Sequence, residues 1–498
     1  MFGVRIALVG GGAAAVSLMD GLLRHVPAAE PLEVVVYEAG ARPGPGRAYR
    51  TDEDCALINA RTAVMSVRTH EPGHFLRWLG TTPAGLGTRH AQSGADSFLP
   101  RWVFGEYLAD CLERACHGGR VRVERKRVHR LVTGEDGIAV GTSDGALAAY
   151  DRVVLCVGGG EPARTYDLEG APRYRRDPYP LTDMAEYIRP GDRVLIAGTG
   201  LSAVDTALAL RERGHDGPIT MASRRGLLPA VRVSNGKSDL VALTPRRITG
   251  AMERDGALRL EALGELLLEE LARVGVTAQE VAERVRPGVD ARSRLLYQFR
   301  EADTGGPWQR VLTTVAIRRA ETLWRLLPDR ERGRYLRGWH HVFQSECNPM
   351  PPMTGAALLD LIDDGQLTVR DGTEDIRVES DGSFTLLARG ERHTFDTVVN
   401  TVRGTTSAVS ATAGPLISGL IAQGTATPHP YGGIRVDPDT HRVVAQDSTA
   451  HPRLHALGDI TAGEFYYTSS LEVVTRHADR ITDALLAAVP GTAEGALA

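Results

Sequence analysis

The sequence predicts an α/β protein made of two Rossmann-like units, each built on a buried parallel sheet, with a helical insertion. Three observations predict it. Arg5-Ile6-Ala7-Leu8-Val9, suited to a buried strand, runs directly into Gly10-Gly11-Gly12-Ala13-Ala14-Ala15. The same order returns where Asp192-Arg193-Val194-Leu195-Ile196-Ala197 meets Gly198-Thr199-Gly200-Leu201-Ser202-Ala203. Each unit is then followed by alternating segments with glycine turns and a final buried strand, Asp151–Cys156 or Asp396–Thr401. One such unit could be chance; two in matching order indicate an internal repeat.

The first turn reads as strand, tight loop and helix start. Gly10 permits the turn, Gly12 lets the backbone approach a phosphate, and Ala15 lets helix and strand pack closely. The N–H groups of the helix start, at Ala13 and Ala14, point where a pyrophosphate would lie. Leu32 to Tyr37 forms the next buried strand, and Glu38 at its end is placed to accept from ribose hydroxyls. Arg42-Pro43-Gly44-Pro45-Gly46-Arg47-Ala48-Tyr49 is too rich in Gly and Pro for helix or strand, and a loop of this kind can follow a flat ligand. An amphipathic run passes through His74, Phe75, Trp78 and Leu79, and Gly105 starts a helix reaching about Cys116. Val121–Glu124 is a strand. Asp136-Gly137 and Asp144-Gly145 mark the turns of a three-stranded meander that returns through Val153 to Gly158.

In the second unit Ile219–Ala222 is the strand that corresponds to Leu32–Tyr37. Ser223-Arg224-Arg225 stands at its end, where the first unit has Glu38. Arginine there suits a 2′-phosphate, which an acid would repel. The first site is therefore assigned to FAD and the second to NADPH in preference to NADH, with Gly198, Gly200, Leu201, Ser202, Ser223, Arg224 and Arg225 as its contacts. Between the halves of the second unit, Leu258–Val274 and Val311–Leu336 carry apolar residues at helical spacing. Cys347-Asn348-Pro349-Met350-Pro351-Pro352 reads as a stiff segment, either lining a pocket or serving as a linker, ahead of a helix from Gly355 to Asp363. Asp381-Gly382 and Arg389-Gly390 mark the second meander. At the end of the chain, Leu454–Leu457 is a strand closing on Gly458-Asp459, and Thr468-Ser469-Ser470 precedes a helix through Val474 and Ile481. Gly-Asp would hold ribityl or phosphate groups, and the Ser469-Ser470 helix start would aim N–H groups at the flavin O2.

These elements divide the chain into residues 1–170 and 405–498 for FAD, 185–235 and 366–404 for NADPH, and 236–365 as a helical insertion covering the substrate. Composition restricts the class further. Apolar residues at 42% and charged residues at 24% are those of a globular chain. A net charge of −4, without a basic run interleaved with aromatics, gives nucleic acid no footprint. No apolar run approaches the ~18 residues of a membrane span, and no signal-peptide order is read at the N-terminus, so a cytoplasmic location is expected. Five cysteines include no Cys-x-x-Cys, and His340-His341 lacks partners at metal spacing, so no metal is expected and the pair reads as surface or core.

Gly44–Tyr49, Leu57–Ser66, Pro100-Arg101 with Gly105–Leu108, Gly198–Asp205 and Ser223–Pro229 resemble bacterial FAD/NAD(P)-binding flavoproteins related to the amine N-hydroxylating monooxygenases, the ornithine, lysine and aspartate N-hydroxylases. The chain departs from the pattern at Cys156-Val157-Gly158, where Ala-Thr-Gly is expected, and at Asn400-Thr401-Val402-Arg403-Gly404. The Phe-x-Gly-x-x-x-His-x-x-x-Trp fingerprint of Baeyer–Villiger monooxygenases is absent. The resemblance implies that NADPH reduces FAD, that oxygen forms a flavin hydroperoxide, and that an uncharged amine of an amino acid or related small molecule attacks it. Asn59, Met65 and Arg101 are then expected near the isoalloxazine, and Arg61 or Arg101 could clamp a substrate carboxylate. Val128 and Gly158 complete the expected FAD contacts. Two further readings stay open: a reductase or dehydrogenase without oxygen insertion, and a non-catalytic flavin-binding sensor.

Overall fold

The computed structural model describes residues 4–81, 93–159, 162, 164–233, 237–286, 288–303, 305–402 and 413–487. Arg403 and Gly404, part of the expected departure in the second repeat, lie outside them. The chain divides into two compact units, one of Met1–Thr51, Ala60–Glu161 and Gly404–Ala498, the other of Asp52–Asn59 and Pro162–Arg403.

In chain order the first unit contributes β1 (Val4–Val9), α1 (Ala13–His25), β2 (Leu32–Tyr37), α2 (His74–Thr81), α3 (Arg101–His117), β3 (Val121–Glu124), β4 (Val128–Thr133), β5 (Ile138–Thr142), β6 (Leu147–Tyr150) and β7 (Arg152–Leu155). The second adds β8 (Tyr174–Arg175), β9 (Val194–Ala197), α4 (Leu201–Glu212) and β10 (Ile219–Ala222). The insertion follows as α5 (Pro245–Asp255), α6 (Leu260–Arg273), α7 (Ala278–Val285), α8 (Ala291–Asp303), α9 (Pro307–Arg318), α10 (Ala320–Leu326), α11 (Asp329–Gly338) and α12 (His340–Cys347). After α13 (Pro352–Asp363) come β11 (Leu367–Arg370), β12 (Thr373–Val378), β13 (Phe384–Ala388), β14 (Glu391–Phe395) and β15 (Thr397–Asn400). The chain then re-enters the first unit through α14 (Gly414–Ala422), β16 (Arg442–Val444), β17 (Ala450–Ala456), α15 (Ala462–Phe465) and α16 (Leu471–Ala487).

The first sheet has the order β16-β17-β7-β1-β2-β3, all parallel except β16. The second has the order β11-β10-β9-β15-β8 and is parallel throughout. Their central strands are buried on both faces, which is why they read as continuous apolar runs rather than alternating ones. The meanders β4-β5-β6 and β12-β13-β14 are separate antiparallel sheets. In the first unit Leu131, Ile138, Val140 and Tyr150 of the meander share a core with Val9, Val35 and Val153 and with Leu416, Ile417 and Leu420 of α14.

The two units repeat each other at the level of single hydrogen bonds. Arg5 N–H donates to Asp151 Oδ2 at 2.7 Å, and Arg193 N–H to Asp396 Oδ2 at 2.8 Å. Gly10 N–H reaches Tyr37 O at 2.8 Å, and Gly198 N–H reaches Ala222 O at 2.7 Å. Cys156 N–H donates to Val9 O at 2.8 Å, and Thr401 N–H to Ala197 O at 2.9 Å.

Four expectations are corrected. Residues 52–59, expected within the FAD part, cluster with the second unit, where Asp52 Oδ1 accepts the Leu181 N–H at 2.7 Å. Helix α3 starts at Arg101 rather than Gly105, because Pro100 holds the N-cap with its φ fixed at −53°. The single helical run expected over Val311–Leu336 breaks at Arg319 and again at Leu327-Pro328, since a proline cannot give the next turn its N–H. The stiff Cys347–Pro352 segment is not a free linker: Met350 is fully buried and bridges Val231, donating to Ala230 O and accepting from Arg232 N–H, each at 2.8 Å.

Candidate functional site

At the first turn Gly10 has φ +104°, and a Cβ there would stand 2.2 Å from Cys156 O, so only glycine lets β1 turn beside the end of β7. Gly12 caps α1 without a side-chain bond, and Val16 is the first N–H to find an acceptor inside the helix, Gly12 O at 3.0 Å. The N–H groups of Ala13 and Ala14 before it are therefore left for an acceptor outside the helix. No acidic side chain of the helix itself occupies that first turn, so its own sequence does not oppose the positive end of its dipole.

A second glycine loop lies against the first. Gly44 N–H donates to Gly11 O at 2.8 Å, and the Cα of Gly46 would be 3.5 Å from a Cβ on Gly12. Gly105 of α3 supports this loop, since a Cβ there would meet Tyr49 O at 2.0 Å. Tyr49 packs edge-on against Phe104 with ring centres 4.9 Å apart. Burial pushes its phenol pKa up and the Arg101 charge draws it partly back, so Tyr49 is a neutral packing residue rather than a base. Arg47 and Ala48 are exposed on the same loop.

Glu38 is already engaged. Its Oε2 accepts the Gly11 N–H at 2.8 Å and its Oε1 the Gly40 N–H at 2.7 Å. Each carboxylate oxygen keeps a second lone pair, so the group can brace the turn and still accept from a ribose hydroxyl. Gly458 comes within 3.9 Å of the Ala14 Cβ, measured from where its own Cβ would be. Asp459 accepts from Thr468 Oγ1 at 2.8 Å, and its other oxygen fills the space beside Gly159. Gly158, at φ +71°, faces open space. The two ends of the chain thus meet at one helix N-terminus, and that geometry fits a dinucleotide pyrophosphate. Ser470 O accepts from Val473 and Val474 at the start of α16, next to exposed Ser469.

Met65 and Arg101 belong to the first unit and Asn59 to the second. Met65 is buried, its loop tied to α1 by Arg68 on Asp20 at 2.8 Å. Arg61 pairs with Asp96 at 2.8 Å and lies over the Phe98 ring, so as a substrate clamp it would first have to exchange a partner. Val128 is packed into the first core cluster.

At the second turn Gly198 has φ +121°, and a Cβ would meet Thr401 Oγ1 at 2.4 Å. Gly200 caps α4 with no side-chain bond and no acid in the first turn, leaving the Leu201 and Ser202 N–H groups for an outside acceptor. Ser223 holds the strand end: its Oγ lies 3.0 Å from Thr199 Oγ1 and accepts the Gly226 N–H at 2.9 Å. Arg224 and Arg225 are exposed. Helices α11 and α12 of the insertion reach them, with Arg224 Nη2 3.5 Å from His341 Nε2 and Arg225 Nη2 3.4 Å from Arg337 O. Burial, then the charges of Arg224 and Arg225, hold the His341 imidazole pKa below its ordinary value. His341 was legible only as half of a histidine pair. No spacing rule joins it to Arg224, 117 residues away.

Residues 7–160 match the model of a family described as FAD-NAD(P)-binding. No curated protein matches it by sequence. Among solved structures it shares its fold with the FAD-bound cadaverine monooxygenase of desferrioxamine biosynthesis from Erwinia amylovora, at 11% identity and a TM-score of 0.62, covering 98% of this chain and 95% of that one. The ornithine N-hydroxylase of Kutzneria sp. 744, with reduced FAD, NADP+ and L-ornithine, aligns at 14% identity and a TM-score of 0.59 over 97% and 99%. A bacillithiol disulfide reductase from Staphylococcus aureus aligns at 12% identity and a TM-score of 0.50 over 98% and 99%. The cofactors of this chain are FAD and a nicotinamide dinucleotide. Among the described residues no helix is long and apolar enough to cross a membrane.

Proposed function

We propose that this chain is an FAD-dependent, NADPH-consuming monooxygenase that hydroxylates the amino group of an amino acid or a related small amine, using O2. The observation that carries the reading is the extent of the fold likeness to the cadaverine monooxygenase. Coverage of 98% leaves no room for the insertion to lie outside it.

The turn at Gly10–Ala14, with Glu38 and Gly458-Asp459, would hold FAD, and the turn at Gly198–Ser202, with Arg224 and Arg225, would hold NADPH. When bound, FAD supplies the passage of electrons from nicotinamide to oxygen. The chain's own residues bind and orient. The N-termini of α1 and α4 neutralise pyrophosphate, Glu38 selects an unphosphorylated ribose, and the arginine pair selects a phosphorylated one. Arg101, half-buried beside Tyr49, and Arg61, which would have to exchange Asp96, are the candidates for a substrate carboxylate.

The reductase reading has one point in its favour, the shared fold of the bacillithiol disulfide reductase. The cysteines weigh against its thiol form. Burial is the first cause raising all five thiol pKa values, to about 12 for Cys111 and Cys156, so none is prepared as a thiolate. The test is NADPH oxidation by the FAD-loaded protein against a panel of amino acids and diamines, with hydroxylamine product measured alongside. Amine-stimulated oxidation that yields hydroxylamine supports the proposal. Turnover only with an artificial electron acceptor would sink it.

A further inference from the structure

The helical insertion carries a histidine into the arginine pair, and this contact asks for a ligand. At 3.5 Å, Arg224 Nη2 can only donate to His341 Nε2 if that imidazole is neutral. A guanidinium and an imidazole so placed, with the exposed Arg225 beside them, form a cluster to which no carboxylate is paired among the described residues. His341 is the second residue of α12, whose first turn holds no acidic side chain. The other groups around it do not oppose an anion either. His340 is its ring neighbour, with centroids 5.7 Å apart, and Tyr166, beside Arg224, is kept neutral by burial. Asp375 acts on Tyr166, and Asp371, which pairs with Arg389, lies beside Gly226; neither figures among the influences on His341.

The strand end fixes which anion. Ser223-Arg224 follows β10 as Glu38 follows β2, the position at which a ribose 2′ substituent arrives. We infer that His341 is the third contact of a 2′-phosphate pocket formed with Arg224 and Arg225, and that it makes nucleotide selection depend on pH. In the free protein the imidazole is neutral and accepts from Arg224. With the phosphomonoester dianion seated between them, the imidazole takes a proton from solvent and Nε2–H donates to a phosphate oxygen, while Arg224 turns its N–H groups to the same phosphate. One proton is taken up and no covalent bond changes. The sign follows from this coupling. The imidazole pKa is low in the free protein and raised in the complex, so its share of NADP+ affinity is full at low pH and disappears as pH rises past the complex value. The phosphate's own second ionisation, near pH ~6, acts in the opposite direction and is common to all variants.

This inference rests on the NADPH assignment of the second turn, and the experiment separates the two. Binding of NADP+, NAD+ and inorganic phosphate to the FAD-loaded full chain is measured by calorimetry from about pH 6 to about pH 8.5 at fixed ionic strength, for the unaltered protein, His341→Asn and His341→Lys. A charge-assisted hydrogen bond is lost in His341→Asn, so NADP+ should bind about tenfold more weakly near pH ~6 and within about twofold of the unaltered protein near pH ~8.5. NAD+ should be unaffected. His341→Lys should keep tight NADP+ binding across the range without the pH-dependent loss. Repeating the titration in buffers of different ionisation enthalpy should show proton uptake by the unaltered protein beyond that of His341→Asn. Equal NADP+ affinity of the unaltered protein and His341→Asn near the acid end overturns the inference, and so does a parallel loss of NAD+, which would mark a structural role. If only inorganic phosphate binds, or if NADP+ and NAD+ bind alike to the unaltered protein, the NADPH assignment falls and the inference with it.

Discussion

The two glycine turns make matching backbone hydrogen bonds and carry opposite chemistry at the adjoining strand end. Gly10 and Gly198 make the same hydrogen bond to the neighbouring strand, and Cys156 and Thr401 return the same bond from the other side. One residue further on, the first unit presents a carboxylate tied to Gly11 and Gly40, the second a hydroxyl tied to Gly226 and followed by two arginines. The difference teaches that the scaffold that aims a helix N-terminus is independent of the group that selects the ribose. Backbone bonds set the first, and a single strand-end position sets the second.

The largest break in this comparison is expected at the turns themselves. Gly10→Ala would drive a methyl into the backbone oxygen of Cys156, whereas Gly198→Ala would meet the side-chain oxygen of Thr401. Positive φ and overpacking together should cost about 3 kcal/mol in each case, read by urea unfolding of the FAD-loaded protein. Adding Thr401→Ala to Gly198→Ala should recover about 1–2 kcal/mol, while Cys156→Ala should recover none for Gly10→Ala. Equal recovery in both pairs would mean that the turns are not held in the way described. Next in size is selection: Arg224→Ala should weaken NADPH by about 1–3 kcal/mol and leave NADH as it was, and unchanged discrimination between the two would remove the arginine from the site.

A third effect concerns pH and separates the sheets. His455 on β17 is buried, and burial followed by the charges of Arg442, Arg152 and His451 pushes its pKa down to about 3. The corresponding edge strand of the second sheet, β8, is Tyr174-Arg175 and has no such group. A buried neutral imidazole contributes stability that is present above the unfolded pKa of about 6.5 and is lost as pH falls from there towards about 3. The slope is at most about 1.4 kcal/mol per pH unit. Replacing His455 with Phe should flatten that slope in acid unfolding of the first unit; an unchanged slope would place the acid sensitivity elsewhere.

The strands at the centre of each sheet were legible in the sequence. β2 and β10 were expected over Leu32–Tyr37 and Ile219–Ala222, and these are their observed bounds. A strand buried on both faces has to be apolar without interruption, so its ends show as a change in composition. The insertion was legible as helix but not as separate helices, because periodicity continues across Arg319 and Pro328 although the helix does not. Residues 52–59 were misplaced because neither their composition nor their position shows that Asp52 accepts from Leu181, 129 residues away.

The sequence by itself therefore determined the repeated strand–turn–helix, the glycines that permit it, and the change of sign from Glu38 to Arg224. Each of these depends on neighbours a few residues apart, whose geometry the local backbone dictates. Only the tertiary structure decided that Glu38 spends a bond on Gly11, that Gly458 and Ala14 share one corner, and that His341 stands beside Arg224. Those pairings join segments from 27 to more than a hundred residues apart, and it is packing of the intervening elements, which no local pattern encodes, that brings them together.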